Sequence, residues 1–378
     1  MTAILNWEDI SPVLEKGTRE SHVSKRVPFL QDISQLVRQE TLEKPQLSEI
    51  AFVLLNTFPI YEDNRSKSLV TSVLLDILNL EPCLLENFIR FISDVVISNP
   101  ATKAVADYLN LLDWINSFLI FVSHNSNLFE EYIPKLLVVH SYATFGVETI
   151  LDNQEEGKKS QDKQNQHRKR IRYCIFQATV KAFLKCLKDN DDSISFMKIS
   201  IKTVLESYSK LKITSVGVVM IMGALTQAAL QLLSRQPALH SVLKENSAEK
   251  YCEYLGKEVF LGKNPPSSFC LEIGLKPFLK EFVSQELFIK FFIPNIEKAV
   301  LRSPEVGFSI LSELYAGVSS EKVNLLNAFT SSKLINQYFS SFKSSKEVVR
   351  SVSLQSMIIL LRKISNTDTT LEDLTKLI

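Results

Sequence analysis

The sequence predicts an all-α protein, an α-solenoid of stacked antiparallel helix pairs. Three observations lead to this class. Glycine is scarce, at 10 of 378 residues, against a usual share of roughly 7%. Apolar residues recur at helical spacing along most of the chain, and a helix-pair pattern repeats within the last third. Because a solenoid has no single core and no fixed size, 378 residues need not divide into two or three globular domains.

The clearest repeat lies within residues 263–364. Ser303, Pro304 and Glu305 predict a helix start, with serine as the N-cap, proline at the first helical position and an acid in the first turn. The same shape begins again at Glu347, 42 residues after Glu305. That period is typical of HEAT or armadillo units, which have roughly 40–47 residues each. A helix pair cannot bury its apolar face alone, so we expect a HEAT/armadillo-like stack.

Earlier helices are expected in order along the chain. Apolar spacing predicts three within residues 7–60, a pair over 62–80 and 82–98, and further helices over 101–123, 128–152 and 193–211. Asn99 is the expected N-cap of 101–123, whose many large apolar side chains predict cover on more than one side. Pro134 and Pro294 each lie inside an apolar pattern and predict helix kinks.

The stretch Ile213–Leu233 carries no charged residue. Its length would allow a membrane span, for which roughly 20 residues are needed. Polar residues within it, such as Thr226 and Gln227, and amphipathic helices on both sides favour a helix buried between stacked neighbours. We therefore expect no membrane partner.

Residues 153–170 contain no apolar side chain and predict a polar, basic loop that is a candidate for disorder. This loop is the expected boundary between N-terminal helical repeats, residues 1–152, and a second set of HEAT-like repeats, residues 171–378.

Charge is distributed unevenly although the formal net charge is only +1. Residues 1–150 hold 19 acidic and 11 basic residues, and the remainder holds 23 acidic and 32 basic. Such asymmetry can mark a surface that meets nucleic acid or a charged partner. The basic end of the loop is therefore a candidate contact to RNA phosphates or to an acidic protein, with a merely solvated loop as the alternative. The candidate contact residues are Lys158, Lys159, Lys163, Arg168, Lys169, Arg170 and Arg172.

Few residues fall in patterns typical of a catalytic, phosphate-binding or metal site. The five cysteines show no close pairing and no secretory signal precedes them, so reduced thiols in the cytosol or nucleus are expected. Cys174 and Cys186 share a helical stripe and are expected in the core. The run Gly262-Lys263-Asn264 lacks the spacing and the hydroxyl of a phosphate-binding loop, and no histidine has zinc-ligand spacing. The sequence predicts no enzyme, no cofactor and no metal.

Several segments share a resemblance to one family. They are Lys263-Asn264-Pro265-Pro266-Ser267, Ile293–Ala299, Leu301–Glu305, Met1–Ser24 and the run from Arg172-Tyr173-Cys174 onward. Together they resemble the N-terminal region of the general control non-derepressible protein one family, very large HEAT-repeat translational activators, and look most like the fungal member. The resemblance spans essentially the whole chain. It implies that the repeats of residues 171–378 continue into a longer protein, and the end at Ile378 without a polar capping helix agrees with this expectation.

The resemblance implies a cytoplasmic protein that associates with ribosomes. It also implies help in activating the kinase that phosphorylates the alpha subunit of initiation factor two during amino-acid starvation, in cooperation with an ATP-binding-cassette partner. The kinase and ATP-binding-cassette contacts are expected through downstream segments, so no kinase-contacting residue is assigned here.

The resulting hypothesis is a non-enzymatic, ribosome-associated scaffold. The alternative is a transport-receptor-like solenoid that holds a protein cargo, which the acidic first 150 residues keep open.

HEAT units often form an Asp–Arg ladder between repeats. Arg350 matches the arginine, but Ser344 and Phe308 stand where an aspartate and an arginine would be. We therefore expect irregular stacking.

Overall fold

The computed structural model describes most of the chain, namely residues 6–58, 61–97, 104–153, 161–188, 192–262, 266–318, 326, 329 and 333–365. Within these residues the protein consists of helices and turns without a β-strand, and the predicted all-α class is confirmed. The expected cap Asn99 and the run Lys263-Asn264-Pro265 lie outside the described residues. The chain forms two compact units, Met1–Val122 and Ser123–Ile378.

The first unit is built from seven described helices. They are α1 (Trp7–Ile10), α2 (Leu14–Thr18), α3 (Val23–Arg38), α4 (Lys44–Thr57), α5 (Asn64–Leu80), α6 (Leu85–Ile97) and α7 (Val105–Ser123), the last of which ends at the boundary of the unit. Aromatic pairs fill the core: the ring centroids of Phe58 and Trp114 are 4.0 Å apart, and those of Phe88 and Phe118 are 5.7 Å apart. These contacts explain why α7 is so apolar.

Helix α7 is also the one described helix whose length and composition would allow it to cross a membrane. Much of this helix is nevertheless covered, since 56% of its most apolar stretch of 18 residues is buried inside the protein. Tyr108, Ile115 and Val122 are each at most 1% exposed. This burial is typical of the core helix of a helical bundle and agrees with the expected cover on more than one side.

The second unit contains the remaining helices. They are α8 (Phe129–Asn153), α9 (Gln161–Leu187), α10 (Ser193–Leu205), α11 (Tyr208–Leu211), α12 (Ser215–Gln231), α13 (Pro237–Asn246), α14 (Ala248–Tyr254), α15 (Ser268–Glu281), α16 (Gln285–Leu287), α17 (Ile293–Arg302), α18 (Pro304–Gly317), α19 (Leu334–Phe342) and α20 (Glu347–Ser365). Two π-helical segments, Leu255–Phe260 and Phe288–Phe292, continue α14 and join α16 to α17.

These helices stack in a row of neighbours. In one layer α9 packs on α12, α12 on α15, α15 on α18, and α18 on α20. In the other layer α10 packs on α13 and α14, and α17 packs on α19. Hairpin partners α17 and α18, and α19 and α20, contact each other across the two layers. This arrangement is the HEAT-like stack that the sequence predicts.

The boundary between the units differs from the one expected at residues 153–170. Helices α8 and α9, which flank residues 154–160, both pack on α12 and on α10. They therefore belong to one unit, and the division falls instead at Val122 and Ser123. A polar connection predicts a turn between helices, but it does not reveal whether those helices share a core.

The helix starts that define the repeat are confirmed. Helix α18 begins at Pro304 with Glu305 in its first turn, and α20 begins with Glu347. Ser303 occupies the N-cap position, but its side chain makes no capping bond. Its carbonyl oxygen instead accepts the Gly307 N–H at 2.9 Å, the first hydrogen bond of the helix.

Helix α12 confirms the interpretation of the charge-free stretch as a buried helix. Thr214 caps its start by accepting the Gly217 N–H at 3.1 Å. Halfway along, Gly223 lies so close to α15 that a Cβ there would come within 2.3 Å of the Gly274 carbonyl oxygen. Two glycines facing each other let the backbones of α12 and α15 approach closely, so these positions accept no larger side chain without rearrangement.

The two prolines have different outcomes. Pro134 lies in the second turn of α8, which continues through it. Pro294 follows the π-helical segment Phe288–Phe292 and sits at the start of α17. A proline ring clashes with the carbonyl four residues earlier in a regular α-helix, and a π-helical turn before Pro294 changes that register. The interruption predicted at Pro294 is thus a change of helix type.

Asp–Arg pairs link neighbouring helices in the first unit, where Arg26 pairs with Asp63 and Arg38 pairs with Asp76 at 2.8 Å.

The described contacts near the end of the chain are of another kind. The Arg350 guanidinium donates to the carbonyl oxygens of Ser344 and Ser345, at 2.7 and 3.1 Å, inside its own turn. Between repeats, Lys290 pairs with Glu249 at 2.5 Å. The departure from the ladder predicted around Ser344 and Arg350 therefore agrees with the contacts of Arg350.

One prediction about the thiols is wrong. Cys186 is buried as expected, but Cys174 is exposed, and neither forms a disulfide. The buried stripe of α9 runs through Ile175, Thr179 and Phe183, one position away from Cys174. The spacing of apolar residues alone did not separate these two adjacent faces.

Candidate nucleic-acid interface

The predicted basic loop is partly helical. Helix α9 begins at Gln161, so residues 161–170, expected to be loop, form its first turns. Glutamine, lysine and arginine are good helix formers, and once a helix nucleus exists each added residue costs little. The apolar half of α9, from Ile171 on, supplies that nucleus. Of the candidate contact residues, Lys158, Lys159 and the side chain of Lys163 lie outside the described residues.

Arg172 does not face solvent. Its Nε is 2.9 Å from both carboxylate oxygens of Glu148, and the two side chains are only 7% and 6% exposed. The Ser267 hydroxyl donates to Glu148 Oε2 at 3.1 Å and also accepts the Cys270 N–H at 3.2 Å as the cap of α15. Arg172 thus joins α8, α9 and the start of α15, and it is not placed to contact a phosphate.

Arg168 is buried as well, with 6% exposure. Among the candidate residues whose side chains are described, only Lys169 and Arg170 are exposed. Arg170 lies two residues before Arg172, about 200° around the helix, and so faces away from Glu148. The prediction that all seven basic residues face solvent was wrong because residues 161–170 are helical. In a loop all of them could face solvent. In a helix successive residues point about 100° apart, so some must face the core.

Lys169 and Arg170 border a groove of about 1030 Å³ that is open to solvent. Helix α12 forms its floor, and α9 and α15 form its sides. The lining residues are Gln166, Lys169, Arg170, Tyr173, Phe176, Gln177, Gln227, Leu230, Gln231, Glu272, Ile273, Lys276, Pro277, Lys280 and Glu281.

Helical spacing explains why these residues converge. On α15, Glu272, Lys276 and Lys280 are four residues apart and therefore share one stripe. On α9, Arg170 and Tyr173 are three residues apart and share another. Each stripe is visible in the sequence. The sequence does not show that the two stripes face each other across α12, because no residue within either helix specifies which helices are its neighbours.

The charge balance of the groove is positive. Four cations and two carboxylates line it. Of the carboxylates, Glu281 also contacts His240 Nε2 at 3.3 Å. Arg170, Lys276 and Lys280 form no salt bridge within the part of the chain that the structure describes. They are the groove cations least engaged by the protein itself.

A third carboxyl group lies beside the groove on α18. Burial, together with the nearby Glu272 carboxylate, raises the pKa of Glu313 to about 7, and Lys169 opposes the shift. Near neutral pH this carboxyl group is therefore only partly charged. As a result, it subtracts less from the positive charge of the groove than an ordinary glutamate would.

Within the described ranges, no group of three or more histidine, cysteine, aspartate or glutamate side chains is arranged to hold a metal ion. The surface feature that stands out is therefore the groove, with its cations, amides and tyrosine.

The stacked helix pairs define a HEAT-like α-solenoid, and the groove between α9, α12 and α15 is open to solvent. Residues 248–378 match the family described as "Stalled ribosome sensor GCN1 N-terminal". Over all 378 residues the chain is 98% identical to the "eIF-2-alpha kinase activator GCN1" of Saccharomyces cerevisiae. The chain belongs to this family, and the resemblance to its fungal member is confirmed. It spans 14% of the length of that relative.

Proposed function

We propose that this chain is the N-terminal part of a non-enzymatic, cytoplasmic scaffold that associates with ribosomes and helps to activate the eIF-2-alpha kinase in the amino-acid starvation response. The observation that supports this most strongly is the 98% identity over the whole chain to a relative named as an activator of that kinase. The name of the matching family, a sensor of stalled ribosomes, supports ribosome association.

The chain covers 14% of its relative, so it does not have to make every contact of the whole protein. We propose that its own contribution is ribosome association, with the kinase and an ATP-binding-cassette partner engaged by downstream segments. A stack of repeats presents an extended surface, which suits many individually weak contacts to a large particle. Lys169 and Arg170 are the original candidate contacts that stay in this proposal, because both are exposed beside the groove.

Ribosome co-sedimentation of the 378-residue chain tests the proposal. We expect the chain to pellet with ribosomes at low salt and to be released as salt rises, because contacts to phosphates release counterions. Serum albumin mixed with the same ribosomes controls for trapping. If the chain stayed in the supernatant with ribosomes at low salt, this segment would have no part in ribosome association.

A second candidate is a transport-receptor-like solenoid that binds a basic protein cargo. The excess of acidic residues in 1–150 favours it. This candidate predicts that a lysine-rich peptide binds the chain and that ribosomes do not. Pelleting with ribosomes and no affinity for the peptide would exclude it.

A further inference from the structure

We propose that the groove between α9, α12 and α15 binds a single-stranded segment of RNA. In this proposal Arg170, Lys276 and Lys280 contact phosphates, and Tyr173 stacks on an unpaired base. The inference rests on the proposed ribosome association and deepens it by naming a site and a ligand chemistry. Its location differs from the basic loop in the sequence, because two of the three cations come from α15.

Charge complementarity is the first argument. The three cations are exposed and form no salt bridge among the described residues, so they are available to an anion. Phosphate contacts supply most of the sequence-independent affinity of proteins for nucleic acids. The carboxylate of Glu281 is next to His240, and that of Glu313 is only partly charged near neutral pH. The carboxylates that line the groove are therefore Glu272 and Glu281, against four cations.

An exposed aromatic side chain in the groove is the second argument. Tyr173 is 52% exposed, although it is large and partly apolar, and it lies one helical turn from Arg170. Exposed aromatic rings beside a positively charged track are the arrangement by which proteins bind single-stranded nucleic acids, since every base has a face that can stack. A base held in a duplex could not reach such a ring.

The floor of the groove is the third argument. Helix α12 contributes Gln227 and Gln231 but no charged residue, in keeping with the charge-free sequence from Ile213 to Leu233. The floor therefore does not repel phosphates, and its amides can donate to and accept from base edges. At about 1030 Å³ and open to solvent, the groove is at the upper end of the range of roughly 300–1,000 Å³ for small-ligand pockets. It suits a segment of a polymer.

The direct test measures fluorescence anisotropy of a labelled, 20-nucleotide oligouridylate with the 378-residue chain. Replacing Arg170, Lys276 and Lys280 together by glutamine should weaken binding at least about tenfold. It should also reduce the slope of log K against log salt by about 2, since each phosphate contact to a single strand contributes about 0.7. Unchanged urea midpoints establish that the variants fold.

A matched control removes the same charge elsewhere. Lys198, Lys244 and Lys298 are exposed on α10, α13 and α17 and do not line the groove. Replacing these three by glutamine should leave affinity within about twofold of the original. Equal losses from both triple variants would overturn the proposal, because binding would then follow net charge and not the groove.

The stacking contact has its own test. Tyr173→Ala should weaken oligouridylate binding by about tenfold, in line with the loss of one base–aromatic stack, whereas Tyr173→Phe should stay within about twofold. Binding to a 20-base-pair RNA duplex should be weaker than binding to the single strand. If Tyr173→Ala had no effect and a polyglutamate peptide bound better than the oligonucleotide, an acidic protein segment would replace RNA as the ligand.

The same variants in ribosome co-sedimentation separate this inference from the proposed function. If the original chain pellets and the Arg170, Lys276 and Lys280 variant pellets equally well, ribosome association stands and the groove is not its contact. If the chain binds oligouridylate through the groove but does not pellet, the groove binds RNA and this segment has no role on the ribosome. Loss of both in the groove variant alone supports both proposals.

Discussion

Replacing Arg172 by methionine tests whether the buried pair with Glu148 holds three helices together. The substitution keeps much of the side-chain volume but leaves a carboxylate that is 6% exposed without its cation. Removing one member of a buried ion pair costs about 3–5 kcal/mol. Since Ser267 continues to donate to Glu148 at 3.1 Å, we expect the lower end, about 3 kcal/mol.

Hydrogen–deuterium exchange of peptides from α8, α9 and the start of α15 measures this change locally. A loss of about 3 kcal/mol in opening free energy speeds exchange by roughly a hundredfold. Arg170→Met is the matched control: it removes the same charge two residues away, from an exposed position, and should change exchange in α8 and α15 by less than about twofold.

The reasoning would be refuted if Arg172→Met changed exchange in these helices no more than Arg170→Met does. The double variant Glu148→Gln with Arg172→Met sharpens the result. It removes the unpaired buried charge, so it should be more stable than Arg172→Met alone. With the single variant Glu148→Gln also measured, the loss in the double variant should differ from the sum of the two single losses by about 0.5–3 kcal/mol, which is the coupling energy. Additive effects would mean that the two groups do not interact.

Three further predictions concern packing and protonation. Gly223→Ala should destabilise the second unit by about 1–3 kcal/mol in urea unfolding. The reason is that the new Cβ would lie 2.3 Å from the Gly274 carbonyl oxygen. Gly317→Ala is the control: its Cβ would meet the end of the Leu279 side chain, so the loss of stability should be smaller. Complete burial lowers the pKa of His140 from 6.5 to about 4. The stability contributed by the neutral imidazole should therefore be full above pH 6.5 and fall by about 3 kcal/mol as the pH drops to 4. Urea midpoints measured across this range should show the dependence, and His140→Gln should flatten it. Because the pKa of Glu313 is about 7, oligouridylate affinity should fall between pH 6 and 8, and Glu313→Gln should remove that fall.

Some features follow from the sequence because their causes are local. Helix starts at Pro304 and Glu347 depend on capping and on the first-turn charge, which a few adjacent residues supply. The burial of α12 follows from a run of apolar residues that no water-facing helix could carry. The 42-residue spacing from Glu305 to Glu347 then predicts the class, because helix pairs repeated at that interval must stack.

Family membership was also visible in short segments of the sequence, but the reason for one of them appears only in the fold. Ser267, in the segment that resembles the family, caps α15 and at the same time donates to Glu148, 119 residues earlier. No spacing rule connects two residues so far apart. The sequence predicts that such a residue matters to a helix start, and the tertiary contact shows what else it does.

The groove shows most clearly which features the sequence determines and which depend on the tertiary structure. The sequence determined the basic composition around Arg170 and the stripe formed by Lys276 and Lys280. Only the tertiary structure decided that Arg172 turns inward to a carboxylate while Arg170 turns outward to a groove shared with α15. The physical reason is that helical periodicity specifies which residues share a face, whereas the packing of that helix against its neighbours decides which face meets water.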